Sequence, residues 1–523
     1  MSSLSKIVNA MGGVRTTNGW DIICCYNQEK INKIFAKKHK ENKIISTAAF
    51  SGIIKLPFVG EVTFTSELKL GAPKIAFSED VNKQCKLLMD IIGGYISMRA
   101  KDGEEKREDF PANAAVITCY APIAAASGDW NEISNGDKPI IFKGHGSAQH
   151  IFLHFKNDEH TTFTLSAKAG HESEVKNLTV FQTGISDEYA KLLMSFFKEE
   201  VSEISYELAT LKNTTSYGLI PITPKSFIFA QSGQIDESPA SLNIYIQAEE
   251  SGNPPGDTSP SFQPGGVKLA PIAEGYTASL IISGQFMEKM LLKGLANYSP
   301  SVYGHTSGVL TMALRVSQTI RYLGYSHGTN DYFDGISINT GNSNMYFMLK
   351  TDGLKTKTAL QFSSETSTGS YAHWSSCRGE PVGVSGKIHA SFNISAEKEM
   401  LFADKGKISL SVEVARGNVT PNIRNEIIRG GGWPFQIEEV NNSIGNSVAQ
   451  SITGLSVSMD SINTFLATNI LFPDDNYFTF KSGDKYYVPY DLIAFGMLDF
   501  NSEMEQTRLL CEAVSNFAPA KVI

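Results

Sequence analysis

Apolar and polar residues alternate along much of the chain, the pattern of strands that set one face on a core and the other toward solvent. Val62, Phe64, Leu68 and Leu70 alternate with Glu61, Thr63, Thr65, Glu67 and Lys69, and Leu242, Ile244, Ile246 and Ala248 alternate with Asn243, Tyr245 and Gln247. Ile388, Ala390, Phe392 and Ile394 repeat the pattern, as do Ile408, Leu410, Val412 and Val414. Short polar connections between such runs predict meandering antiparallel sheets rather than βαβ units.

Two stretches have helical spacing instead. The first opens at Ser186 as N-cap, with Asp187 and Glu188 in the first turn, and its stripe is Leu193, Phe197, Val201, Ile204, Leu208 and Leu211. The second follows Pro434 and carries Ile437, Val440, Ile444, Val448, Ile452, Leu455, Met459, Ile462 and Leu466. At 1.5 Å per residue it would run about 45 Å. A narrow apolar stripe of that length needs an equally long cover, and a curved antiparallel sheet is the natural one. Val448, Ile452, Leu455 and Met459 are then its expected core or cavity-lining residues, and Gly445 and Gly454 mark close approach or a bend. The predicted fold class is α+β, with strongly curved antiparallel sheets wrapped around long amphipathic helices in an elongated molecule.

A chain of 523 residues exceeds one ordinary core and predicts two or three domains. The Pro/Gly-rich segment Ser251 to Gly266 reads as a mobile loop or linker. It divides the chain into lobes at 15–250 and 267–523, each with strands and one long helix, and strands shared between the lobes are compatible with this division.

The 46 Lys and Arg against 54 Asp and Glu leave a net charge of -8, which argues against a surface built for nucleic acid. The six cysteines include no C-x-x-C pair, so neither a zinc ribbon nor a disulfide framework is predicted. The first residues lack the apolar stretch of a secretory signal, which predicts synthesis in the cytoplasm and any release by a route that uses no N-terminal signal peptide. No apolar run approaches the about 20 residues of a transmembrane segment.

Catalytic signatures are missing: there is no G-x-x-x-x-G-K-[ST], G-x-S-x-G or H-E-x-x-H. The expectation is a protein that is not an enzyme, with no catalytic residue, metal or cofactor. His150 and His154 share a strand face with Phe152, but no carboxylate or cysteine stands at matching spacing, and they read as solvent-side histidines. Gly430-Gly431-Gly432 reads as a tight turn before Trp433. The strongest charge feature is Lys30 to Lys43. Ile31, Ile34 and Phe35 make a small apolar face there, and Lys30, Lys33, Lys37, Lys38, Lys40 and Lys43 supply six positive charges. A basic amphipathic helix on an acidic protein is a candidate for an anionic membrane surface or an acidic partner.

Just before that helix, Asn18-Gly19-Trp20-Asp21-Ile22-Ile23 runs into Tyr26-Asn27-Gln28-Glu29-Lys30-Ile31-Asn32. This resembles the opening of the bacterial TULIP (tubular lipid-binding) proteins of the OrfX type, which include the forty-seven-kilodalton protein encoded beside clostridial neurotoxins. Tyr276-Thr277-Ala278-Ser279-Leu280-Ile281-Ile282-Ser283, leading into Phe286-Met287-Glu288-Lys289, is similar to the mid-chain passage of that family. A second Gly-Trp-Asp opening is missing. The resemblance implies a sheet wrapped on a long helix, and a non-enzymatic accessory of a bacterial toxin, a virulence role. It implies anionic lipid or phosphoinositide as one partner and a toxin or sister TULIP protein as the other. It carries no list of lipid-binding residues.

Overall fold

The computed structural model describes residues 3–56, 60–78, 84–101, 103–157, 159–213, 222–236, 238–327, 331–377, 380–399, 408–429, 437–462, 470–471, 476–479 and 485–500. Its helices are α1 (Ser3–Ala10), α2 (Gln28–Lys40), α3 (Glu172–Val175), α4 (Ser186–Glu200), α5 (Gly284–Gly294) and α6 (Ile437–Ile452). Most other described residues lie in strands, which pair antiparallel in three large sheets.

The central sheet unites distant parts of the chain. Its order is Asn476–Thr479, Leu492–Phe500, Ala278–Ile282, Ile22–Asn27, Ser241–Ala248, Pro224–Ser232 and Ile140–Ile141. Ile22 stands between Ile246 and Ile282, Cys24 between Ile244 and Leu280, and Tyr26 between Leu242 and Ala278. Side chains of period two send Ile22, Cys24 and Tyr26 into the main core. Ile23, Cys25, Tyr245, Ile281 and Phe495 point the other way, where Ile7, Val8, Met11, Trp20, Phe262 and Ile272 cover them. The strand Ser241–Ala248 is therefore buried on both faces, and not half-exposed as its alternation predicts.

One outer sheet has Thr47–Leu56 at its margin and continues through Gly60–Leu70, Gln84–Ala100, Ala115–Ser127, Ala148–Leu153 and Glu207–Lys212 to Ile470–Leu471. Along Gly60–Leu70 the predicted inward residues Val62, Phe64, Leu68 and Leu70 are all buried. Helix α4 packs against both the marginal strand and Thr162–Ala167, so this sheet curls over it. The other outer sheet is built on the 20-residue strand Glu380–Glu399, which pairs with Lys355–Ser363, Ser367–Cys377 and Val419–Arg429. Helix α6 touches Val419–Arg429 and Thr319–His327, two marginal strands of that sheet, and closes a curled half-barrel.

Both long helices are shorter than their stripes predict. α4 has 15 residues and ends where Val201 turns extended; Glu203–Tyr206 forms a 3-10 turn and Glu207–Lys212 pairs with Ala148–Leu153. Leu208, Ala209 and Leu211 are fully buried in that strand, so ladder hydrogen bonds with burial of both faces prevail over a spacing that fits a helix only locally. α6 has 16 residues. Gly454 adopts φ +87, a left-handed conformation that suits glycine after a helix, and its N–H donates to the Val414 carbonyl instead of continuing the helix. Val448 and Ile452 are buried on α6, whereas Leu455 is half-buried in the turn and Met459 lies in the strand Ser456–Ile462 opposite Leu410. Pro434, Leu466 and Gly430 to Gly432 lie outside the described residues.

The Pro/Gly-rich segment is a surface loop that straps across the central sheet. Ser251, Pro260, Phe262 and Pro264 are buried, Asn253 Nδ2 donates to Asp21 Oδ1 at 2.9 Å, and the strap lies over Trp20. It joins Ser241–Ala248 to Ala278–Ile282, the two strands that flank Ile22–Asn27.

Candidate functional site

Helix α2 starts directly from the central strand Ile22–Asn27. Asn27 caps it, with its side-chain oxygen accepting from the Lys30 N–H at 2.9 Å, and Glu29 occupies the first turn. Lys37, Lys38, His39 and Lys40 fill the last turn, where cations favour the helix dipole. Ile31, Ile34 and Phe35 are buried as the sequence predicts. Polar residues fix the helix as well: the Ile75 N–H donates to Asn32 Oδ1 at 2.7 Å, the Phe77 N–H to Gln28 Oε1 at 2.6 Å, and His39 Nε2 lies 2.9 Å from the Leu70 carbonyl.

Lys33, Lys37, Lys40 and Lys43 are exposed, and Lys30 and Lys38 are half-buried. Lys37 and Lys43 share Glu41, at 4.0 and 2.7 Å, and Lys38 Nζ donates to the Ser205 carbonyl at 3.4 Å. The helix thus meets the turn that follows α4, where the Phe35 and Tyr206 rings lie 5.9 Å apart, edge to face. Between them opens a mainly polar groove of about 340 Å³, lined by Lys43, Ser46, Thr47, Glu200, Ser202 and Ser205 among others. No local sequence signal marks the groove, because its two banks, at 42–47 and 200–206, are more than 150 positions apart. Ile204, a stripe residue by its spacing, is 54% exposed on the turn.

Rings fill the space under α4. Phe50 contacts Tyr189 and Phe196, Phe163 contacts Phe197, and Phe155 meets Phe197 and Tyr206. Such contacts leave the inward face of this sheet occupied by protein side chains.

The histidine pair is half-buried and each member meets a carboxylate. His150 Nδ1 is 2.7 Å from Glu207 Oε1 under the Trp130 ring, and His154 Nδ1 is 2.9 Å from Glu203 Oε1. These carboxylates come from the strand and turn beyond α4, which is why local spacing did not reveal them. Among the described residues no group of three or more His, Cys, Asp and Glu side chains is placed to hold a metal ion, and no helix is long and apolar enough to cross a membrane.

Two buried aspartates hold the central sheet to its cover. Asp21 Oδ2 accepts from the Ala248 N–H at 2.9 Å, and burial raises its carboxyl above the ordinary range despite that bond and those from Ser251 and Asn253. Asp491 accepts from the Thr16 N–H at 2.5 Å, the Thr16 hydroxyl at 2.7 Å and the Gly284 N–H at 2.7 Å, and burial again raises it. Their hydrogen-bond donors are backbone and neutral side-chain groups, an arrangement that joins segments distant in the chain.

Comparison with solved structures sets this arrangement beside a known protein. The chain is similar to P47 from Clostridium botulinum A2. The match has a TM-score of 0.48 and 15% identity and covers 92% of this chain and 98% of P47. A lipopolysaccharide binding protein matches with a TM-score of 0.25 and 11% identity over 92% of this chain and 99% of that one. No protein-family model matches, and no curated protein matches.

Proposed function

We propose that this chain is a non-enzymatic, lipid- or membrane-interacting accessory protein of a bacterial toxin gene cluster. In this reading it is built as two TULIP-like lobes, 15–250 and 267–523, on one central sheet. The observation that carries it is α2, whose apolar face is locked into the core while Lys33, Lys37, Lys40 and Lys43 face solvent on an acidic chain. A basic helix so held suits an anionic lipid surface, including phosphoinositide headgroups. The two-lobe reading is supported by a recurring order: the strand Ile22–Asn27 leads into α2, a curled sheet and then α4, and the strand Ala278–Ile282 leads into α5, a curled sheet and then α6. Cosedimentation of the purified protein with phosphatidylcholine vesicles with and without phosphatidylserine tests it. Binding only to the anionic vesicles, weakened by salt, is the expected result, and equal absence of binding to both would overturn it.

A second reading is an assembly component that binds a toxin or sister TULIP protein and holds no lipid. The ring contacts beneath α4 favour it, since they fill the space an internal ligand would take. Mass spectrometry of an organic extract separates an internal ligand from none. Stoichiometric lipid would exclude the filled-core reading, whereas vesicle binding without extractable lipid places the interaction on the surface.

A further inference from the structure

We propose that the Glu203–Tyr206 turn and the last turn of α2 form one membrane-docking tip. In it Ile204 enters the acyl-chain boundary of an anionic bilayer while Lys37, Lys38, Lys40 and Lys43 meet the headgroups. The proposal rests on the membrane reading above and names the residue that penetrates.

Three observations converge on Ile204. Its side chain is 54% exposed although both ends of its turn are fixed. On one side Glu203 Oε1 accepts from the Lys156 N–H at 3.0 Å and pairs with His154; on the other, Tyr206 is fully buried against Phe35 and Phe155. Its exposure is therefore built into the fold and is not fraying of a loose loop. Second, the bond from Lys38 Nζ to the Ser205 carbonyl places the basic end of α2 directly beside it. Third, the groove between them offers hydroxyls of Ser46, Thr47, Ser202 and Ser205, groups suited to the hydrated headgroup layer and not to the hydrocarbon below it.

An exposed aliphatic residue beside a basic helix end matches the two layers of an anionic bilayer, apolar inside and negative at its surface. An acidic peptide would use the lysines but has no need of an aliphatic apex. The opposing charges at the tip are Glu41, engaged by Lys37 and Lys43; Glu203, engaged by His154 and the Lys156 N–H; and Glu199 and Glu200 at the end of α4, which are exposed and reduce the local positive potential.

The test uses the full chain with vesicles of phosphatidylcholine and phosphatidylserine, some of the phosphatidylcholine brominated in its acyl chains. In Ile204→Trp, the emission added to that of the four native tryptophans shifts to the blue and is quenched by the bromines on binding. Ile204→Asn, which removes the apolar side chain and adds no charge, binds roughly tenfold more weakly with an unchanged salt dependence. The double variant Glu199→Gln, Glu200→Gln binds more tightly. A protein that binds while the added indole stays unquenched overturns the insertion and leaves the membrane reading standing. A parent that binds no anionic vesicle overturns both. Tight binding of a polyglutamate peptide, with Ile204→Asn equal to the parent, assigns the tip to a protein partner and also overturns the proposal.

Discussion

Trp20 Nε1 donates to the Asp257 carbonyl at 3.0 Å, so the Gly-Trp-Asp opening holds a strap that lies 237 positions further along the chain. The neighbouring Gly256 lies close against the same opening. A Cβ there would meet the Asn18 carbonyl oxygen at 2.4 Å and the Trp20 nitrogen at 2.7 Å, both backbone atoms.

Gly256→Ala should therefore destabilise the protein by about 1 to 3 kcal/mol, as overpacking does against backbone that cannot yield. Gly144→Ala, with nothing within 4 Å of the added atom, should be close to neutral. Denaturant unfolding of the pair checks this, and equal midpoints would show that the strap is not held against the sheet.

Helix α6 gives a second contrast. Ile452 is fully buried, and Ile452→Ala should cost about 2 to 5 kcal/mol as a core truncation. Ser443 is exposed on the same helix, and Ser443→Asp should stay within about 0.5 kcal/mol of the parent. If Ile452→Ala were nearly neutral yet lowered the lipid recovered in an organic extract, the residue would line a ligand cavity and not a packed core.

The two buried aspartates predict a pH dependence of definite sign. Burial raises the Asp491 carboxyl above its ordinary value of 3.8, so the folded state takes up the proton more readily than the unfolded chain. Its contribution to stability is complete below 3.8 and is lost as pH rises through the higher folded value. Asp491→Asn removes that titration. The stability of the parent relative to the variant should thus increase as pH falls from neutrality toward 3.8, measured by denaturant unfolding across the range. A difference that shrinks instead would mean that the three hydrogen bonds outweigh burial.

The lysine face is tested by Lys33→Glu, Lys37→Glu, Lys40→Glu. Lysines near an anionic bilayer contribute about 1 kcal/mol each, so the three together should weaken vesicle binding by about a hundredfold or more. Thermal unfolding should change little, because all three side chains are exposed and the Lys37–Glu41 pair is a surface ion pair of at most about 1 kcal/mol. Retained binding would reduce the segment to a solubilising helix.

Pattern alone established the local facts of this protein. Alternation identified which residues of Gly60–Leu70 and of Ile388 to Ile394 point inward, and Ile31, Ile34 and Phe35 identified the buried side of α2. These hold because a strand or a short helix repeats its direction every two or about 3.6 residues whatever lies around it. Tertiary structure decided the rest. Leu208 and Leu211 have a spacing a helix accepts, but the partner strand Ala148–Leu153 claims them, and only pairing across some 60 residues makes that choice. Asn243, Tyr245 and Gln247 read as a wet face, yet α1 and the strap supply a second apolar layer over the central sheet, so they are buried. The same long-range closure put Glu203 on His154, Asp491 on Thr16, and Ile204 beside the lysines of α2. A chain's periodicity reports the direction of each side chain; what awaits it there is set by segments too distant in sequence to leave a local mark.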